Sequence, residues 1–259
     1  MAGAELFAPF VDRPARSAVL LDFDGTLAPI VEHPADARPS ADVVDVLPRL
    51  VDRFGLVAVI SGRPVSFLEP LLPPGVVISG LYGLEVLADG QRNDHPGAGA
   101  WREAVADVAR SSSDRGPAGM VVESKGLSLT LHYRSHPELE PAVREWAEQQ
   151  AARSGLEVRS AKMSVELHPP VRADKGTALG SLVDDDVEAV CFVGDDLGDL
   201  PAYDALDRLA EKGVHVVRVA VGGAEAPDDL LERADVVVEA PDDVAGLLLR
   251  LAGESTHTA

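Results

Sequence analysis

A single cysteine, Cys191, leaves no internal disulfide to be made. Its place in the apolar run Ala189-Val190-Cys191-Phe192-Val193 marks it as core packing. Aromatic residues are scarce, at 4%, so an interior must be built mainly from Val, Leu, Ile and Ala. Positive charge is also in short supply: 23 Lys and Arg stand against 43 Asp and Glu, a formal net charge of -20. So acidic a surface repels nucleic acid and anionic membranes, and no basic stripe interrupts it. It would repel a phosphorylated small molecule too, so any phosphate site must carry its own local cation. No apolar stretch reaches the length of a membrane-spanning helix. The segment Met1–Pro14, interrupted by Glu5 and Asp12, lacks the basic-then-apolar order of a signal peptide. We therefore expect a cytoplasmic monomer that engages neither nucleic acid nor membrane.

What is present is enough for a core and a smaller companion domain: 259 residues, 46% of them hydrophobic. Short, nearly continuous apolar runs recur at Ser17–Leu21, Gly55–Ile60, Val76–Ser79, Glu188–Val193, Val214–Val221 and Ala234–Val238. Such runs suit strands buried on both faces of a parallel sheet. Helical spacing lies between them, at Ala41–Arg53, Val65–Leu71, Gly176–Val183, Leu200–Lys212 and Asp243–Leu251. The fold class is α/β, a Rossmann-like parallel-sheet core over residues 1–88 and 172–259. Residues 89–171 break the alternation and read as helix, hairpin, helix, hairpin, an inserted α+β domain bounded by Gly/Pro-rich segments.

The chemistry collects at the ends of the predicted strands. Asp22-Phe23-Asp24-Gly25-Thr26 follows the first, where two carboxylates can reach the crevice in which open α/β sheets bind ligands. One carboxylate can attack phosphorus while the other gives and takes a proton. Ser61-Gly62-Arg63 follows the second strand and offers a hydroxyl and backbone N–H groups. Lys175, in Asp174-Lys175-Gly176-Thr177, opens a helix, where a cation and the helix dipole can face an anion. Gly194-Asp195-Asp196, with Asp199, ends the fourth long run in hard oxygen ligands of the kind magnesium takes. Each segment alone is also ordinary turn or cap chemistry; the set in this order is far more specific.

These four segments resemble the motifs of the haloacid dehalogenase-like phosphatases. The resemblance implies that Asp22 is a nucleophile forming an aspartyl phosphate and Asp24 the general acid and base. It assigns Ser61 and Lys175 to the phosphoryl group, with Gly62 and Arg63 beside them. Magnesium would be held by Asp22, the backbone carbonyl of Asp24 and Asp195, with Asp196 or Asp199 in support.

The inserted block carries a second pattern. In Leu127–Arg134 the odd positions are apolar and leave His132 and Arg134 on the other side. In Lys162–His168, Lys162, Ser164, Glu166 and His168 share a side, as do Glu123 and Lys125 in their own segment. A solvated outer face or a ligand-reading face would each produce this alternation. Leu21–Ile30, Ile60-Ser61-Gly62-Arg63, Gly83-Leu84-Glu85, Glu123–Ser128, His132-Tyr133-Arg134, Lys162–Leu167 and Gly194–Leu197 together resemble trehalose-6-phosphate phosphatases. That likeness covers roughly residues 17 to 240 and makes the insertion a cap domain. It implies sugar contacts at Glu123, Lys125, Lys162 and Glu166, with Arg134 a further candidate. The chain departs from the family pattern at Leu81-Tyr82-Gly83, where Gly-His-Gly is frequent, and at Gly198-Asp199-Leu200, where Thr-Asp-Glu is common. The expected partner is a small sugar phosphate. Another sugar phosphate or pseudo-disaccharide phosphate, a phosphomutase and a catalytically silent binding module remain open alternatives.

Overall fold

A computed structural model of the chain describes residues 5–31, 33–161, 163–223 and 226–253. It divides into two compact units, one of Met1–Asn93 with Ala173–Ala259 and one of Asp94–Arg172.

The first unit is built on an eight-stranded sheet of order β12-β11-β10-β1-β2-β3-β4-β5. Its strands are β1 (Ser17–Leu21), β2 (Leu56–Ile60), β3 (Val77–Gly80), β4 (Glu85–Ala88), β5 (Gln91–Asp94), β10 (Ala189–Gly194), β11 (His215–Val221) and β12 (Val236–Val238). β1 runs parallel to both β2 and β10, so it occupies the middle of the sheet. All five of its residues are buried, as expected for a strand covered on both faces. Alternate residues feed opposite cores. Val19 and Leu21 pack with Val46, Leu50 and Leu248, from the helices Ala41–Arg53 and Pro241–Leu251. Ala18 and Leu20 pack with Leu179, Tyr203 and Leu206, from the helices Lys175–Leu182 and Leu200–Glu211. Full burial of each such aliphatic side chain is worth about 1.5–3 kcal/mol, which fixes the register of β1 and with it the position of the residues that follow.

The sheet is parallel from β12 to β3 and then turns antiparallel at β4. The β4–β5 hairpin is a departure from the expected boundary at residue 89, because it continues this sheet to Asp94. Gln91-Arg92-Asn93-Asp94 has no apolar periodicity, so the edge strand is set by its hairpin partner and not by burial.

The second unit is a four-stranded antiparallel sheet, β6-β7-β9-β8, formed by Val121–Ser124, Leu129–His132, Ser164–His168 and Glu157–Ala161. Its helices Arg102–Arg115 and Glu140–Ser154 bury Val105, Val108, Val143 and Ala147 against Leu129, Leu131, Val165 and Leu167. Gly155 ends the second helix in the left-handed conformation, φ 79°. The other sheet face holds the polar positions. Among the described residues, no helix is long and apolar enough to cross a membrane.

Candidate active site

The ends of β1, β2 and β10 and the start of one helix bring four segments together. Asp22 prolongs the central ladder by one residue, its N–H donating to the Val193 carbonyl at 2.9 Å. Behind it the chain reverses tightly: Gly25 N–H meets the Ala28 carbonyl at 2.7 Å, and both Leu27 and Ala28 donate to the Phe23 carbonyl. Gly25 has φ +82°, and a Cβ there would lie 1.9 Å from Asp195 Oδ2. Only glycine allows the β1 turn and the β10 carboxylate so close an approach.

Lys175 is placed by its helix. Asp174 caps the N-terminus, accepting from Thr177 N–H at 2.7 Å, while Thr177 Oγ1 receives Asp174 N–H at 2.9 Å. Lys175 is the first helical residue, and its Nζ lies 2.6 Å from Asp22 Oδ1 and 2.6 Å from Asp199 Oδ1. The three side chains are at most 5% exposed. Burial lowers the proton affinity of Lys175, but Asp199 and Asp22 outweigh it, so the ammonium is held well above its usual range.

Asp199 ties the Lys175 cation to the loop after β10. Its Oδ1 takes the Lys175 ammonium, and its Oδ2 accepts from Asp195 N–H at 2.9 Å and Asp196 N–H at 3.0 Å. Gly194 makes room for it, since a Cβ there would meet Asp199 Cγ at 2.3 Å. Asp196 instead caps the short turn, with Oδ1 accepting from Gly198 N–H at 2.8 Å.

Carboxylate oxygens of Asp22, Asp195 and Asp199 all lie within 4.8 Å of one another. Burial, opposed by Lys175 and aided by Asp199 and Asp195, raises the Asp22 carboxyl well above the usual carboxylate range. Burial, with Asp196 and Asp199, pushes Asp195 up to about 7. Asp195 Oδ1 is buried with no hydrogen-bond partner among the described residues. Three carboxylates against one ammonium leave an excess of negative charge and an orphaned oxygen, which suits a hard divalent cation. Asp22, Asp195 and Asp199 are the side chains that could hold it, with Asp22 and Asp199 also facing Lys175.

Ser61 extends β2 by donating its N–H to the Ser79 carbonyl at 3.0 Å, and its Oγ accepts Arg63 N–H at 3.1 Å. That acceptance leaves the hydroxyl proton to be donated to an incoming oxygen. Gly62 sits under Tyr82, where a Cβ would meet Tyr82 Oη at 2.5 Å. Arg63, expected to face substrate, has a protein partner here. Its Nε and Nη2 each donate to one oxygen of Asp24 at 2.8 Å.

A model of the family described as trehalose-phosphatase matches residues 20–235. The chain belongs to this family. It is 32% identical over 254 residues to a trehalose-phosphate phosphatase of Mycobacterium ulcerans, covering 92% of this chain and 62% of that protein. It is 34% identical to an uncharacterized glycosyl hydrolase of Mycobacterium tuberculosis, over 92% of this chain and 18% of that much longer protein. The chain thus spans less than two thirds of the length of these relatives. Among solved structures, the C-terminal domain of a C. albicans trehalose-6-phosphate phosphatase superposes with a TM-score of 0.75 at 25% identity, covering 97% of both chains.

In this family member, the second unit gathers the residues singled out for sugar contact only in part. Strand pairing sets Glu123, Thr130, Glu166 and Arg159 in one row across all four strands, on the face away from the helices. Glu166 Oε1 accepts from Ser128 Oγ at 2.8 Å, with Lys125 Nζ 4.0 Å away. Glu123 pairs with His132 Nε2 at 2.8 Å. All five residues of β9 are buried, while Glu123 and Arg159 on the flanking strands are only partly so. Arg134 is exposed in the turn beyond β7 and outside the row. Lys162 lies outside the described residues. Two contacts in these networks have no local sign in the sequence. Asp199 is expected from the sequence only as one of two candidates to support a metal, and a carboxylate after Gly-Asp-Asp gives no sign that it will pair with a lysine 24 residues earlier. Glu85, whose Oε2 accepts Val65 N–H at 3.0 Å and so anchors the segment after Arg63, was marked only by resemblance.

Proposed function

We propose that this chain is a magnesium-dependent phosphatase that hydrolyses trehalose 6-phosphate to trehalose and phosphate. The carrying observation is the buried Asp22 carboxylate beside Lys175 and the Asp195 oxygen, at the carboxyl edge of the sheet. In the reading we favour, an Asp22 oxygen attacks phosphorus in line with the sugar oxygen, and the phosphorus–oxygen bond to the sugar breaks. Asp24 gives the departing oxygen its proton. Water then attacks the phosphorus of the aspartyl phosphate, Asp24 takes the proton back, and the bond to Asp22 breaks to regenerate the carboxylate. Lys175 and the Ser61 hydroxyl hold phosphoryl oxygens through both steps. Asp22, Asp195 and the backbone carbonyl of Asp24 would hold magnesium, which supplies charge neutralisation to the phosphoryl oxygens.

Substrate identity rests on family membership and on the row of Glu123 and Glu166, with Lys125 beside it. Carboxylates paired with an ammonium suit vicinal hydroxyls, and a site built that way discriminates against analogues lacking them. The test is phosphate release from a panel of sugar phosphates, with magnesium and with chelator. Magnesium-dependent release fastest with trehalose 6-phosphate is expected. Preference for another sugar phosphate would overturn the substrate, and no release from any member by folded protein would overturn the activity.

A further inference from the structure

We infer that Arg63 is a positioning residue for the proton-transfer carboxylate Asp24, and not a substrate ligand; the inference rests on the phosphatase reading above. The Nε–Nη2 edge of a guanidinium is its bidentate grip, the fork that would otherwise clasp a phosphate. Here that edge is committed, with both contacts to Asp24 at 2.8 Å.

The clamp is built from several directions. The Arg63 guanidinium lies over the Phe67 ring, 4.6 Å from its centroid, and its side chain is 13% exposed. Phe67 in turn meets Phe23 edge-on, 6.0 Å between centroids at 88°. Phe23 is the residue between Asp22 and Asp24 and is fully buried. The aspartate pair thus carries, between its two members, the ring that seats the arginine's shelf. The Arg63 backbone is held as firmly: its N–H reaches Ser61 Oγ at 3.1 Å and its carbonyl accepts Leu81 N–H at 3.0 Å. Leu81 and Tyr82 have φ of 51° and 59°. Non-glycine residues keep such values only where their surroundings hold them, here with Tyr82 N–H on the Ser61 carbonyl at 3.0 Å. A carboxylate oxygen has two lone-pair sites. Each Asp24 oxygen gives one to Arg63 and keeps another for the travelling proton, so the clamp fixes the carboxylate's orientation without consuming its function.

The test separates proton transfer from phosphoryl binding. A 4-nitrophenyl phosphate leaving group departs without a proton, so its first half-reaction does not need Asp24, whereas water attack on the aspartyl phosphate does. For Arg63→Gln in magnesium buffer, rapid mixing should show a nitrophenolate burst of wild-type rate, followed by steady-state turnover slowed about 100-fold, as misplacement of a catalytic group by an ångström costs. With trehalose 6-phosphate, kcat should fall by a similar factor while KM stays put. In an Asp24→Asn background, Arg63→Gln should change nothing further, because a residue acting only through Asp24 has nothing left to position. Phe67→Leu, which removes the shelf and keeps the charge, should move the same quantities in the same direction by less, and serves if Arg63→Gln does not fold. A slowed burst, a raised KM, or an effect of Arg63→Gln that multiplies that of Asp24→Asn would make Arg63 a phosphate ligand and overturn the inference. Absence of any burst or turnover in the wild type would instead defeat the phosphatase reading itself.

Discussion

Replacing Lys175 with Met removes the one ammonium that faces Asp22 and Asp199 at 2.6 Å each, and keeps the volume of its stem. Stripping one partner from a buried ion pair costs about 3–5 kcal/mol, because a carboxylate is left desolvated and unpaired. For a chain of this size each kcal/mol moves the melting temperature by about 2–4 °C, so the loss should be about 6–20 °C. The pH dependence follows from linkage. Asp22 and Asp199 already have raised proton affinities through burial, opposed by Lys175. Without the lysine the folded protein holds still more protons than the unfolded chain, so its stability falls as pH climbs above the unfolded carboxylate range. The variant should therefore lie closer to wild type at pH 5 than at pH 8. Thermal unfolding in chelator at both pH values measures this, and adding Asp199→Asn to Lys175→Met should recover part of the loss at pH 8. A melting temperature within about 2 °C of wild type at pH 8 would mean that the pair is not a buried one in solution. A large loss that is independent of pH would refute the assignment of the cost to bare carboxylates.

Asp22→Asn should abolish phosphate release while far-ultraviolet circular dichroism stays unchanged; surviving turnover would sink the nucleophile. Gly25→Ala forces a Cβ into Asp195 Oδ2 and a left-handed backbone costing about 1–2 kcal/mol, so magnesium should no longer raise the melting temperature. For the wild type, a cation must displace the proton from Asp195, held up to about 7. Stabilisation by magnesium should then grow between pH 6 and pH 8, and a shift that is flat over that range would count against Asp195 as a ligand. Glu166→Gln removes a charged partner of Ser128 and Lys125. Hydrogen bonds to charged groups are worth about 1.5–3 kcal/mol, so kcat/KM for the sugar phosphate should drop about 10- to 150-fold with little effect on 4-nitrophenyl phosphate.

The strands that position the candidate site were legible because each is buried on both faces. Ser17–Leu21 has no polar interruption to misplace, and its reading coincides with β1. The helix Ala41–Arg53 was equally plain, with Ser40 capping Val43 N–H at 3.3 Å and buried Val43, Val46, Leu47 and Leu50 along one face. The β4–β5 hairpin was not, because an exposed edge strand such as Gln91–Asp94 is specified by its partner across the turn and carries no apolar alternation of its own. The short helices Ala8–Asp12 and Asp228–Arg233 escaped for a related reason. Each buries a single residue, Phe10 and Leu230, too little for a periodic signal.

Residue types with few chemical uses were read from the site more readily than the contacts between them. A carboxylate at a strand end, a lysine at a capped helix start and a Gly-Asp-Asp turn are local, and the sequence shows each one. Pairing is not local: Lys175 to Asp199 spans 24 positions, and Arg63 to Asp24 spans 39. Each pair gives a distant partner to a residue whose local context shows none, Lys175 to Asp199 and Asp24 to Arg63. The physical cause is shared. In a chain of net charge -20, the sheet edge that gathers Asp22, Asp24, Asp195, Asp196 and Asp199 sets its cations Lys175 and Arg63 against its own carboxylates. Lys175 and Arg63 therefore pair with carboxylates of the edge itself, and the aspartates gathered there still outnumber these two cations.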